Sequence, residues 1–459
     1  MSYKLIHWEP EDSAFWRQTG ERVARRNLWI SVSALFLAFC VWMVWSMVVI
    51  NLPKVGFTYT TDQLFWLAAV PGLSGATLRI FYSFAISIFG GRRWTAISTA
   101  SLLLPAAGIG FAVQNPQTPY WIMLALALLS GFGGGNFASS MANISFFFPQ
   151  SRKGFALGIN AGLGNLGVSA MQLVVPYAIT TALFDGFGGQ PQQVVHAGHA
   201  TSLWLQNAGF IWVPFILLLT VLSWFGMNDV ASAKASFKSM AAIFRRKHTW
   251  LMSWLYLGTF GSFIGFSAGF PLLIKTQFPS VNVVEFAFLG PLVGSLARVA
   301  GGFLADKLCG ACVTLWSFIV MAAAALSVTL FLPHAGSAGN FWAFFALFMV
   351  LFTATGVGNA STFRMVPLMF HTIHHRLIGR PQALPPLAVA QANKEAAAVL
   401  GFISAVAAYG AFFIPMSYGL AMEEAGSPDA AFFGFAVFYL TCIAVTWWYY
   451  SRRGAEIHC

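Results

Sequence analysis

The sequence predicts an all-α polytopic membrane protein, twelve transmembrane helices arranged as two halves of six. Composition is the first reason. Of 459 residues, 58% are hydrophobic and 8% charged, with a mean hydropathy of +0.71, more apolar surface than a soluble core hides. Second, the chain holds about twelve apolar runs of the roughly 20 residues that cross a hydrocarbon layer of about 30 Å. Third, a single long polar stretch in the interior, NDVASAKASFKSMAAIFRRKH at 228–248, divides six runs from six. The runs are continuously apolar and lack the short alternating segments of membrane strands, so helices are preferred to a barrel.

In chain order, residues 1–27 are polar and carry Lys4, Arg17, Arg22, Arg25 and Arg26 with no small-residue cleavage site. They read as a retained N-terminal segment, not a signal peptide. The first half, 28–226, holds runs at 28–50, 64–89, 95–113, 119–148, 155–178 and 203–226. After the linker at 227–249, the second half, 250–450, holds 250–272, 286–305, 312–332, 341–369, 396–418 and 431–450; residues 451–459 form a tail. Arg92 and Arg93, Arg152 and Lys153, the group Lys234 to Lys247, Lys307, Arg376, Arg380, Arg452 and Arg453 fall on the same side as the N-terminal basic residues. Only Lys54 and Lys275 fall on the other. By the positive-inside rule both termini and the linker are expected to be cytoplasmic. Topology thus accounts for the net charge of +11, and a nucleic-acid partner is not expected.

The cysteines Cys40, Cys309, Cys312, Cys442 and Cys459 form no disulfide framework. Cys309-Gly-Ala-Cys312 has no second pair or neighbouring histidine, so no metal is expected. Gly162, Gly164 and Gly167 spell GxGxxG, but no strand precedes them, which excludes a dinucleotide site and leaves no expected cofactor.

Two residues break the apolar pattern: Arg79, in GLSGATLRIFYSFAISIF, and Arg298, in GPLVGSLARVAGGF. Neither has a carboxylate nearby in sequence, and a charge at bilayer depth is found almost only facing a protein interior or a water-filled path. Two unpaired cations at the centre imply an anion. They also occupy equivalent places: Gly75 stands four residues before Arg79 in the second run, and Gly294 four before Arg298 in the eighth. GGGN at 133–136 in the fourth run matches GVGN at 356–359 in the tenth. Gly158 and Gly167 are spaced as Gly401 and Gly410 are. Such parallel repeats place a substrate site near the midplane between the halves.

The segments GFGGGNFASSMANISFFFP at 131–149, KGFALGINAGLGNLGVSAMQLVVP at 153–176 and LGFISAVAAYGAFFIP at 400–415 resemble the nitrate signature regions of the NarK-type nitrate/nitrite porter family, part of the major facilitator superfamily. GGFLADKLCG at 301–310 resembles that superfamily's short loop signature, whereas its counterpart FGGRRW lacks the Asp. The resemblance implies a major facilitator fold and alternating access with a nitrate or nitrite ion held between the halves. It matches Arg79 and Arg298 to the anion-binding pair, Phe137 and Phe260 to aromatic residues around the ion, Tyr256 to a hydroxyl contact and Asn165 to a signature asparagine. Gly158, Gly162, Gly164, Gly167, Gly401 and Gly410 read as signature glycines that let helices approach closely. Arg364 and a His-rich loop, His371 to His375, have no role to transfer.

A planar guanidinium fork that is always charged suits a planar monovalent oxyanion. The acidic residues and histidines are all placed at membrane ends or in loops, Glu395 coming nearest to an exception, and proton relays need a titrating group along the path. Nitrate/nitrite antiport is therefore expected, with nitrate/proton symport and an anion channel as alternatives, and no enzymatic activity. The expected setting is a bacterial inner membrane, with the lipid bilayer and the two ions as partners of a functional monomer.

Overall fold

In the computed structural model, which describes residues 3–184, 186, 188–196, 199–231, 242–334, 336–378 and 386–457, the apolar runs fold as helices. The first half holds α1 (Glu21–Met43, continued by Trp45–Val48), α2 (Thr61–Phe89), α3 (Gly91–Ala112), α4 (Tyr120–Phe147), α5 (Gln150–Ala178) and α6 (Asn207–Gly226). The second holds α7 (Lys247–Gln277), α8 (Val283–Leu308), α9 (Gly310–Thr329), α10 (Phe341–Ile378), α11 (Pro386–Ala408, continued by Gly410–Ala425) and α12 (Asp429–Ser451). Among the described residues, eleven helices are long and apolar enough to cross a membrane. The twelfth, α5, has 29 residues, roughly 43 Å, but its Gly and Asn content lowers its hydropathy.

Several helices overrun the apolar runs. Helix α1 starts near residue 21 where the apolar run begins at 28, α10 ends at Ile378 and not 369, and α11 starts at Pro386 and not 396. Hydropathy marks the hydrocarbon boundary, whereas polar residues beyond it remain good helix formers. His371 and His374 consequently stand on α10 and not in a loop.

The internal repeat is visible in packing. A methyl on Gly134 would lie 2.9 Å from the Gly75 Cα, and one on Gly356 would lie 2.2 Å from the Gly294 carbonyl oxygen. The α2–α4 and α8–α10 crossings therefore both need glycine. The turns after α2 and α8 also correspond: Gly90 has φ 85° and Cys309 φ 87°, the one non-glycine positive φ among the described residues. FGGRRW lacks its own Asp, yet Asp229 of the linker fills the place, accepting from the Arg92 backbone N–H at 2.8 Å and pairing with Arg92 Nε at 3.4 Å. Asp229 is held there by strand pairing: β1 (Lys4–Leu5) runs parallel to a strand at Asp229–Val230. The N-terminal segment and linker thus share one end of the bundle with the tail, where Glu456 meets Lys247 at 2.6 Å.

The halves touch at the opposite end. A methyl on Gly72 of α2 would lie 2.4 Å from the Ala411 backbone of α11, and Gln172 of α5 donates to the Ser267 carbonyl of α7 at 2.8 Å. Toward the termini, Gly154, Gly158 and Gly162 on α5 and Gly401 on α11 would meet nothing within 4 Å if given a methyl. The signature glycines therefore divide by depth. Gly164, Gly167 and Gly410 are packing contacts, against Leu35, the Phe36 carbonyl and the Gly261 backbone respectively, whereas Gly158, Gly162 and Gly401 front open space.

Candidate functional site

Arg79 lies ten residues before the end of α2 and is fully buried. Its Nε donates to the Gly134 carbonyl of α4 at 2.9 Å, and its Nη1 to the Ser404 carbonyl of α11, in the other half, at 2.8 Å. Nη2 is buried and has no partner. Two carbonyls satisfy the rear of the fork, and one corner stays free.

Aromatic faces wall the guanidinium. Its central carbon lies 4.6 Å from the Phe137 ring centroid, 5.2 Å from Phe260 and 5.1 Å from Trp42. Phe137 of α4 and Phe260 of α7 face each other across the halves, 6.1 Å apart and 25° from parallel. Tyr256, one helical turn before Phe260, continues the stack at 5.5 Å and 15°. Residues Leu257–Gly261, which include Phe260 and follow Tyr256, form a π-helical turn, a distortion frequent at functional sites.

Arg298 of α8 is buried, and its Nη1 has no partner. Its guanidinium carbon lies 5.7 Å from the Phe363 ring. The Tyr256 hydroxyl stands beside it and interacts electrostatically with both arginines, yet makes no hydrogen bond of normal geometry. Three polar groups from two halves, Arg79 Nη2, Arg298 Nη1 and Tyr256 OH, are thus buried and unsatisfied around one aromatic gap. A buried donor without a partner costs about 1–3 kcal/mol, more when charged, so this arrangement calls for an acceptor. Neither arginine is ion-paired with a carboxylate among the described residues. Asn165 of α5 is fully buried, and both its amide atoms lack partners. No hydrogen bond or ring contact ties it to the other five among the described residues.

Trp42, Ser404 and Phe363 escaped the sequence reading, as did the acceptor role of Gly134 within the GGGN motif. The first had a legible trace: methyls on Gly75 and Gly134 would lie 2.6 and 2.5 Å from the Trp42 indole, so the paired glycines make its slot. The indole N–H then donates to the Pro71 carbonyl at 2.7 Å. The two carbonyl acceptors left no trace, since every residue type carries one.

The family model of the Major Facilitator Superfamily matches residues 34–377. The chain is 52% identical to the nitrate/nitrite transporter NarU of Escherichia coli K12 over 98% of this chain and 97% of that protein. It is 44% identical to the probable nitrate/nitrite antiporter NarK2 of Thermus thermophilus over 99% and 98%. The chain belongs to the NarK-type porters of the major facilitator superfamily. Among solved structures it is similar to a bacterial homologue of the human lysosomal transporter Spinster, in an inward-facing and occupied conformation. That likeness has a TM-score of 0.61 at 14% identity, covering 91% of this chain and 95% of the other. It fits the major facilitator fold, in which the two six-helix halves enclose the aromatic gap.

Two further charged groups find partners. Arg364 is paired with Asp306 of α8 and so belongs to an α8–α10 contact, not to the arginine pair. Glu395 is not at a helix start: it is buried within α11, 3.4 Å from both Arg246 and His374.

Proposed function

We propose that this multi-pass porter exchanges nitrate for nitrite by alternating access, with Arg79 and Arg298 as the anion-binding pair. The observation that carries the reading is the trio of unsatisfied buried groups, Arg79 Nη2, Arg298 Nη1 and Tyr256 OH. Phe137 and Phe260 are proposed to line the ion's plane and exclude water, with favourable contact at ring edges, because ring faces are electron-rich. Asn165 is proposed as a further polar group of the path from α5, where its buried amide has no partner. The names of the relatives from Escherichia coli and Thermus thermophilus favour the same ions. The basic residues at the end shared by the termini orient that end to the cytoplasm of a bacterial inner membrane. The monomer is the working unit, each chain contributing both halves of the site.

The test is nitrate uptake into proteoliposomes loaded with nitrite or left empty, with proton gradient and voltage clamped at zero by ionophores. Uptake restricted to nitrite-loaded vesicles is expected. Equal uptake into empty vesicles would point to a channel. Proton symport is favoured by one observation, the buried Glu395 beside His374; it requires accumulation in empty vesicles once an inward proton gradient is restored.

A further inference from the structure

The outer ends of α1 and α7 carry a second pair of cations. Lys54 lies in the short turn Leu52–Val55 that follows α1, and Lys275 in the last turn of α7. These helices are the first of their respective halves, so the two lysines hold equivalent places, as Arg79 and Arg298 do. The segment Trp45–Val48 packs against Ser262–Gln277, which brings both ends to the seam between the halves. Charge on this face otherwise runs the other way, with Asp62, Glu285, Glu423, Glu424 and Asp429 in its loops and helix ends.

Neither lysine takes up one of these carboxylates. Lys54 Nζ donates to Asn51 Oδ1 at 2.8 Å and Lys275 Nζ to the Pro279 carbonyl at 3.4 Å, and neither is ion-paired among the described residues. Burial and the nearby Lys275 charge both push the Lys54 amine below its ordinary value. Two like charges at this seam, neither matched by a carboxylate among the described residues, leave a place for a mobile anion.

We propose that Lys54 and Lys275 form a second anion site at the outer mouth, which takes up small monovalent oxyanions of the class bound at mid-membrane. The proposal rests on the transport reading above. Ammonium groups suit this role, being strongly hydrated point charges without the rigid fork of arginine. They raise the local anion concentration without holding the ion tightly, as a site on a pathway must do. For an anion about 6 Å from each nitrogen in a water-like dielectric, the two charges together concentrate it roughly sevenfold at 10 mM ionic strength and roughly threefold at 150 mM.

The experiment measures nitrate uptake against internal nitrite in oriented proteoliposomes, for wild type, Lys54→Gln/Lys275→Gln and Lys54→Arg/Lys275→Arg. In the glutamine variant the external KM is expected to rise roughly sevenfold at 10 mM and threefold at 150 mM ionic strength. The maximal rate and internal KM stay put, and arginine restores the external KM. An unchanged external KM in the glutamine variant would overturn the site. So would a loss of maximal rate indifferent to ionic strength, which would mark the lysines as parts of a gate. Wild type that exchanges no nitrate overturns the transport reading and this site with it; wild type that exchanges normally beside an unaltered double variant overturns this site alone.

Discussion

Arg79→Lys keeps the positive charge and removes the fork, so it separates electrostatics from geometry. In the native site one guanidinium donates to the Gly134 carbonyl at 2.9 Å, to the Ser404 carbonyl at 2.8 Å, and offers Nη2 to the gap. A lysine has a single nitrogen and cannot reach three such divergent points at once. At least one hydrogen bond involving a charged group is lost, worth about 1.5–3 kcal/mol. Converted at about 1.4 kcal/mol per decade, that is roughly a 10- to 150-fold fall in kcat/KM for nitrate. The assay is nitrate/nitrite counterflow in proteoliposomes, with purified yield and melting temperature as folding controls. A variant that folds normally and exchanges within twofold of wild type would refute the account in which one guanidinium spans two carbonyls and the ion, and would reduce Arg79 to a point charge.

Tyr256→Phe removes a buried hydroxyl that stands beside Arg298 and makes no hydrogen bond of normal geometry; nitrate affinity should fall about tenfold while thermal stability holds or rises, and isothermal binding with a melting curve checks both. Cys309→Gly relieves a positive φ of 87°, so a gain of about 1 kcal/mol is expected in thermal unfolding, and a lower melting temperature would argue against backbone strain. Glu395→Gln leaves Arg246 and His374, each 3.4 Å away, without their anion. A lower melting temperature is expected with nitrate/nitrite exchange kept within about threefold, since the reading gives Glu395 no part in coupling. Abolished uptake in that variant, with folding intact, would favour proton symport.

Much of this was legible in the sequence because the repeat imposes its geometry twice. Gly75 before Arg79 and Gly294 before Arg298 mark crossings where helix backbones nearly touch, and only glycine permits that at both. What stayed hidden lacked a periodic signal. Glu395 reads as a helix start when α11 is delimited by hydropathy, yet the helix begins at Pro386 and carries the carboxylate inward. Asp229 stands 137 residues from Arg92, and no local pattern announces that the linker supplies what the FGGRRW turn lacks. Arg364 had no role to transfer, and nothing local in the sequence announces its partner Asp306.

The same geometry bears on why exchange should be obligatory. Arg79 is tied by Nε to its own half and by Nη1 to the opposite one, so the halves cannot pivot without disturbing its hydrogen bonds. Closing the site around Arg79 and Arg298 with no anion between them leaves two desolvated charges uncompensated. Removing the partner of a buried charge costs about 3–5 kcal/mol. If about 4 kcal/mol of that appears in the barrier, the unloaded return is roughly 10³-fold slower than the loaded one. An anion of either kind lowers this barrier, because its charge and not its identity compensates the arginines. On the proposed reading, entry of one anion and exit of another then become the two legs of one cycle, driven by the gradients of the two anions. A leak into empty vesicles at a comparable rate would mean that water compensates the arginines during the switch, and the case for coupling from buried charge would fall.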